Sequence, residues 1–242
     1  MGKLAWPDVQ EFLKEHKTVV IPVGSFEQHG PHLPLETDAH TAFYVCVKAA
    51  EKAGCALVVP PISYGVSTHH MDFPGTITLS NHTLEQVIFE IAASLVKHGF
   101  KKIIIHNRHG GNSNAVGSAA NRIKMELGAF VVVDDLGVYG LTPDFTKKYI
   151  ETPFDIHAGE KETSAVLATQ EEWVVKDRIT KPTIKQIKMK YNVIVPFRTK
   201  EVSDTGAIGD PTKATKEKGE IYHKMYVKRL AELIREVDCI SI

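Results

Sequence analysis

Two short runs, Thr18-Val-Val-Ile-Pro-Val23 and Lys102-Ile-Ile-Ile-His106, carry their apolar residues in sequence rather than in alternation. An alternating strand keeps one wet face. A continuously apolar one must be covered on both faces, as in a parallel sheet lying between helices. Each run gives way within a few residues to Gly or Pro and titratable side chains. In open α/β sheets ligands bind just outside the carboxyl ends of the strands. The same two runs therefore constrain the fold and point to where chemistry is expected.

The rest of the chain fits that frame. A short helix is expected over 7–15, with Pro7 in its first turn, and another over 38–53, ending before Gly54. Ala56–Val59 reads as a strand stopped by Pro60-Pro61. Residues 83–98 form an amphipathic helix closed by Gly99. Asn112–Leu127 is a helix ending at Gly128, followed by a strand at Ala129–Val133. Further helices are expected at 160–170 and 215–236, a short β segment at Gly75–Leu79 and a strand at Tyr191–Pro196. Strands alternating with helices predict an α/β fold with a mostly parallel central sheet sandwiched by helices. The irregular stretches near 62–81, 134–158 and 196–214 read as functional loops.

The 242 residues suit one large domain, 1–242, and 43% hydrophobic content supports a sizeable core. With 29 basic and 29 acidic side chains the formal charge is +0, which gives no electrostatic case for nucleic acid or an anionic membrane as partner. No apolar run approaches the ~20 residues of a membrane span, and the first residues lack the apolar core of a secretory signal. Cys46, Cys55 and Cys239 form no close pairing pattern, so reduced thiols and a cytoplasmic location are expected.

Residues 27–38, Glu-Gln-His-Gly-Pro-His-Leu-Pro-Leu-Glu-Thr-Asp, hold two histidines and three carboxylates just past the first run. In Glu27-x-His29 the two side chains share one side of an extended segment, and Asp38 can fold back toward them. Asp38 could also simply cap the helix that follows. The reading adopted is that Glu27, His29 and Asp38 ligate metal. A second motif, His106-Asn-Arg-His109-Gly-Gly-Asn-Ser113, follows the second run and reaches the same rim, so His109 is placed to join Glu27 and Asp38. His106 reads as a strand-end polar residue. A third, His157-Ala-Gly-Glu160-Lys-Glu162-Thr-Ser164, opens a helix with acids that the helix dipole favours anyway. One of Glu160 and Glu162 could ligate metal while the other supports it. Such mixed carboxylate and imidazole sets suit Zn²⁺, Mn²⁺ or Fe²⁺.

Three motifs together carry a resemblance. Pro22-Val-Gly-Ser-Phe-Glu-Gln-His-Gly-Pro-His-Leu-Pro-Leu-Glu-Thr-Asp38 resembles the signature of the creatininase (creatinine amidohydrolase) family. His109-Gly-Gly-Asn112 and His157–Ser164 match its second and third motifs in order and spacing, and Gly209-Asp-Pro with Lys216-Glu-Lys-Gly219 resembles its C-terminal segment. The similarity spans residues 5–236. It implies a three-layer α/β/α sandwich with a dinuclear centre, two divalent ions per subunit, in a homo-oligomer, often a hexamer. Carried over, Glu27 and His109 would bind one ion, His29 the other, and Asp38 would bridge them. Creatininase takes a further glutamate from a His-Tyr-Glu-Asn segment, where this chain has Gly111. Glu160 is assigned as the replacement ligand, with His157 as proton-transferring residue and Glu162 as a supporting carboxylate.

The expected reaction is hydrolysis of a small-molecule amide C–N bond, a cyclic amide or formamide, by a hydroxide activated between two metals. The stretch 139–156 has Tyr139, Phe145, Tyr149 and Phe154 but none of the tryptophans that creatininase brings over its substrate. The Gly-Gly motif is closer to the family's formamide hydrolases and mycofactocin-maturation peptidase. The competing readings are creatinine hydrolysis itself, two-metal phosphoester hydrolysis (for which only Arg108 stands beside the ligands as a clamp) and a metal-stabilised scaffold without catalysis.

Overall fold

A computed structural model describes residues 1–135, 148–185 and 195–242. The expected strand at Tyr191–Pro196, and Tyr139 and Phe145, lie wholly or partly outside the described residues. Four strands form the sheet: β1 (Thr18–Val23), β2 (Ala56–Val58), β3 (Lys102–Asn107) and β4 (Phe130–Asp135), in the order β2-β1-β3-β4 and all parallel. Every residue of β1 and β3 is buried, as their unbroken apolar runs require.

The two faces of the sheet are covered by different helices. Val19, Ile21, Ile103 and Ile105 face α3 (Asn81–Lys97) and α4 (Ser113–Leu127), with α1 (Trp6–Glu15) against the same layer. Val20 and Ile104 point the other way, onto α2 (Thr37–Ala53) and the long C-terminal α7 (Lys216–Cys239). The result is a three-layer α/β/α sandwich. Helix α5 (Glu160–Thr169) packs on α7, and the short α6 (Thr199–Val202) lies near the loop at 68–70. Each fully buried aliphatic side chain contributes roughly 1.5–3 kcal/mol, so the central strands form a stiff platform.

The helix ends follow local chemistry. Ser80 and Thr215 cap α3 and α7 by accepting from the backbone N–H of Thr83 and Lys218. Gly54 and Gly128 close α2 and α4 in the left-handed conformation, at φ 80° and 69°. The expected β segment at Gly75–Leu79 reduces to one bridge between Phe26 and Ile77. Helix α4 begins at Ser113, and Gly110–Asn112 form a 3₁₀ turn before it.

Strand order positions the site. The chain steps from β1 outward to β2, then crosses to β3 on the other side of β1. Adjacent strands leaving in opposite senses create the crevice where doubly wound folds bind ligands. Val23 pairs with Asn107 at the top of that crevice. Glu27 and His109 follow those two residues by four and two positions.

Candidate metal centre

Three chain segments converge at the β1/β3 crevice. Glu27 and His29 extend beyond β1. Gly24 lets the start of α2 lie against this segment, since a Cβ there would run into the Ala39 backbone. That close approach brings Asp38 back over the strand end. Asp38 does not cap α2, which begins at Thr37 without a side-chain cap. Its Oδ2 instead accepts from Ser25 Oγ (2.8 Å) and lies 3.3 Å from His109 Nδ1, while its Oδ1 lies 3.3 Å from His29 Nε2.

Glu27 is completely buried, and among the described residues neither of its oxygens accepts a hydrogen bond. Imidazole nitrogens surround them: His109 Nε2 at 3.1 Å, His70 Nε2 at 3.3 Å and His157 Nδ1 at 3.6 Å. His29 Nδ1 donates to the Glu27 carbonyl (3.1 Å), which turns Nε2 toward Asp38 and toward Glu162 Oε2 at 3.8 Å. That buried Nε2 also has no hydrogen-bond partner. Buried polar atoms are rarely left so. Clustered carboxylate and imidazole atoms without donors have the chemistry of a cation site.

The electrostatics agree. Burial pushes the Glu27 carboxyl up, but His109 and then His70 outweigh it and hold it below the usual carboxylate range. Burial opposes charge on His29, yet Asp38, Glu162 and Glu27 raise it to about 10. Against the same opposing burial, Glu27 and Asp38 hold His109 well above its ordinary value. Protons on these two imidazoles thus supply the positive charge that the carboxylates demand. A divalent cation would take their place.

The remaining side chains around the cluster hold defined orientations. His157 Nε2 donates to the Gln28 carbonyl (2.8 Å), leaving Nδ1 toward Glu27, and burial, then the charge of His29, lowers its pKa. Ala158 follows it at φ 49°, a strained conformation for a non-glycine residue. Its N–H donates to Glu162 Oε2 (2.6 Å), aiming that carboxylate at His29. His70 Nδ1 meets Gln28 Nε2 (2.7 Å) and Thr199 Oγ1 (2.9 Å); as acceptor there it keeps its proton on Nε2, toward Glu27.

Glu160 requires a correction. It lies outside the cluster, buried, accepting from Thr152 Oγ1 and the backbone N–H of Glu151 and Thr152, and paired with Lys218 at 2.7 Å. Successive side chains on a helix diverge by about 100°, and it is Glu162 that faces the cavity. Gly111 leaves no room for an acid, because a Cβ there would meet the Val66 carbonyl and, at 2.5 Å, His109 Nε2. His106 pairs with Asp134 at 2.9 Å on the α7 face, away from the cluster. Little in the sequence marks His70 as part of the site. The adjacent pair His69-His70 in a glycine-containing loop was its only signal. Among the described residues, groups able to hold a metal are Glu27, Asp38 and His109; His29, His157 and Glu162; and Glu27, His70 and His157.

Comparisons with known proteins identify the family. The family model described as creatinine amidohydrolase matches residues 2–234. This chain belongs to the creatininase family. It is 34% identical over 223 residues to the mycofactocin precursor peptide peptidase of Mycolicibacterium smegmatis, covering 90% of this chain and 84% of that one. It is 30% identical over 253 residues to the creatinine amidohydrolase of Pseudomonas putida, covering 98% and 96%. A solved creatininase structure with Mn aligns at TM-score 0.83 and 28% identity over 99% of this chain and 98% of that one. A Zn–Zn form of a mutant creatininase aligns at 0.82 and 25% over the same shares. The chain is thus a creatininase-family amidohydrolase acting on C–N bonds, with residue groups suited to metal.

Proposed function

We propose that this creatininase-family enzyme hydrolyses the amide C–N bond of a small molecule with two divalent cations, Zn²⁺, Mn²⁺ or Fe²⁺. Glu27 and His109 would hold one, His29 and Glu162 the other, and Asp38 would bridge. The observation that carries this reading is the orphaned, buried pair of Glu27 oxygens facing imidazole nitrogens. When bound, the cations would supply a reactive water and a Lewis acid for the carbonyl.

The protein's own groups account for the rest. His157, neutral at pH 7 because burial lowers its pKa, can take a proton at Nδ1 and return it to the leaving nitrogen. The Gln28 carbonyl fixes the ring by accepting from Nε2. Thr199 and Gln28 hold His70 so that its Nε2 lies 3.3 Å from Glu27. The cavity of about 350 Å³ lined by Asp38, His157 and Glu162 suits a compact substrate. The substrates for which the two relatives are named, a precursor peptide and creatinine, share only the C–N bond, which is the part carried over. The resemblance also implies a homo-oligomer, and Trp6 (76% exposed) offers apolar area for such a contact.

The test is metal analysis of purified protein followed by a panel of formamides, lactams and phosphomonoesters with each cation. Two equivalents of metal and turnover of amides alone are expected. Asp38→Ala should lose both metal and activity while retaining its circular-dichroism spectrum. Undiminished amide turnover by a metal-free Asp38→Ala protein would refute the proposal.

A further inference from the structure

The cavity contains two cations that the reaction above does not use. Arg108 and Lys161 line it together with Asp38, His157 and Glu162. Arg108 directly follows β3, and its backbone N–H donates to the Val23 carbonyl (3.0 Å), so its origin is fixed to both central strands. The side chain is half-buried, with its guanidinium carbon 4.5 Å from the centre of the Tyr226 ring on α7. Stacking of this kind covers a face of the guanidinium and leaves the in-plane N–H groups available. Among the described residues the buried Nε has no acceptor, and neither Arg108 nor Lys161 has an ion-pair partner. The other acid at that end, Asp155, is committed to capping: its oxygens accept from the backbone N–H of Glu160 (2.8 Å) and Lys161 (2.9 Å).

The geometry points to a substrate that bears an oxyanion, a carboxylate or a phosphate, which Arg108 holds from its Tyr226 platform with Lys161 alongside. This rests on the amidohydrolase reading and narrows it to small anionic amides. A planar fork anchored on a strand end presents two parallel donors, the match for either oxyanion. An immobilised anion also orients the amide toward His157. Arg108 feels the charges of Glu162 and Asp38, and Lys161 that of Asp155, yet neither closes an ion pair among the described residues, so both keep donors free for an anion.

The experiment has two arms. In the first, calorimetry measures succinate, methylphosphonate and neutral succinamide binding to metal-loaded wild type, Arg108→Ala and Arg108→Lys, with metal content assayed in each. The expected result is at least tenfold weaker binding of one anion to Arg108→Ala, with succinamide and metal content unchanged. Which anion loses more distinguishes carboxylate from phosphate, and Arg108→Lys should rescue phosphonate better than succinate. Equal anion affinity in all three proteins would place the anion on the metal alone and overturn the proposal. Metal lost in parallel would assign Arg108 to upholding the ligands and overturn it equally. In the second arm, kcat/KM is compared for amide pairs that differ only in a carboxylate against a carboxamide. The anionic preference should fall at least tenfold in Arg108→Ala, mainly through KM. A dead panel beside Arg108-dependent binding would sink the amidohydrolase reading and leave the anion site standing.

Discussion

Glu27 and Glu160 are both fully buried carboxylates, and their surroundings are opposite. Around Glu160 every oxygen is served: Lys218 neutralises it, and Thr152 and two backbone amides donate to it. Around the Glu27 oxygens the described residues form no hydrogen bond and place only imidazoles at 3.1 to 3.6 Å. A buried carboxylate that is saturated with donors ties chain segments together. One that makes no well-formed hydrogen bond while ringed by imidazole nitrogens is arranged for a cation. The same residue type thus fastens α5 to α7 in one place and builds a reactive site in the other.

The sharpest way to break the comparison is to neutralise both. Glu27→Gln should cut kcat/KM by at least roughly 100-fold, since even residues that only orient metal ligands cost 10–100-fold, with metal lost and the unfolding midpoint of the metal-free protein not lowered. Glu160→Gln should do the reverse, keeping metal while losing on the order of 3 kcal/mol of stability, because Lys218 is left without its buried partner. Denaturant titration and metal assay on the two variants distinguish the outcomes; metal lost from Glu160→Gln with its stability intact would invert the assignment.

Acidity sharpens it next. In the metal-free protein His29 holds its proton up to about 10, so cation binding at neutral pH must displace it. Affinity should rise with pH, by about tenfold per pH unit for each proton released. A competition titration with a chelator between pH 6 and 8 reads the slope, and a flat profile would remove His29 from the ligand set.

The last test concerns a histidine remote from the cluster, whose titration leaves metal and activity untouched. Burial lowers His223 to about 4, although its Nε2 donates to the Ala165 carbonyl (2.9 Å). The unfolded chain takes up that proton near 6.5. Stability is therefore fully present above pH 6.5 and falls as pH drops toward 4, by on the order of 3 kcal/mol. His223→Gln should flatten that part of the pH profile of urea unfolding and leave metal content unchanged; an unaltered slope would contradict it.

Much of this was legible in the sequence because it is local. The unbroken apolar runs at 18–23 and 102–106 could only be strands covered on both sides, and the glycines at 54 and 128 ended helices as their backbone freedom allows. Spacing placed Glu27, His29, Asp38 and His109 at strand ends on one rim, and the structure brings them together. The choice between Glu160 and Glu162 was not legible. Both favour a helix start, and only the packing of α5 on α7 determines which one meets Lys218.

By itself, then, the sequence determined the layered parallel fold, the family, and the rim on which titratable groups gather, since apolar periodicity and motif spacing act over a few residues. Tertiary structure alone decided that His70 enters the cluster, that Glu160 is a tether, and that Arg108 rests on the Tyr226 ring. Those outcomes depend on contacts between segments 40 to more than 100 residues apart, where the direction of a side chain is set by packing and not by its neighbours in the chain.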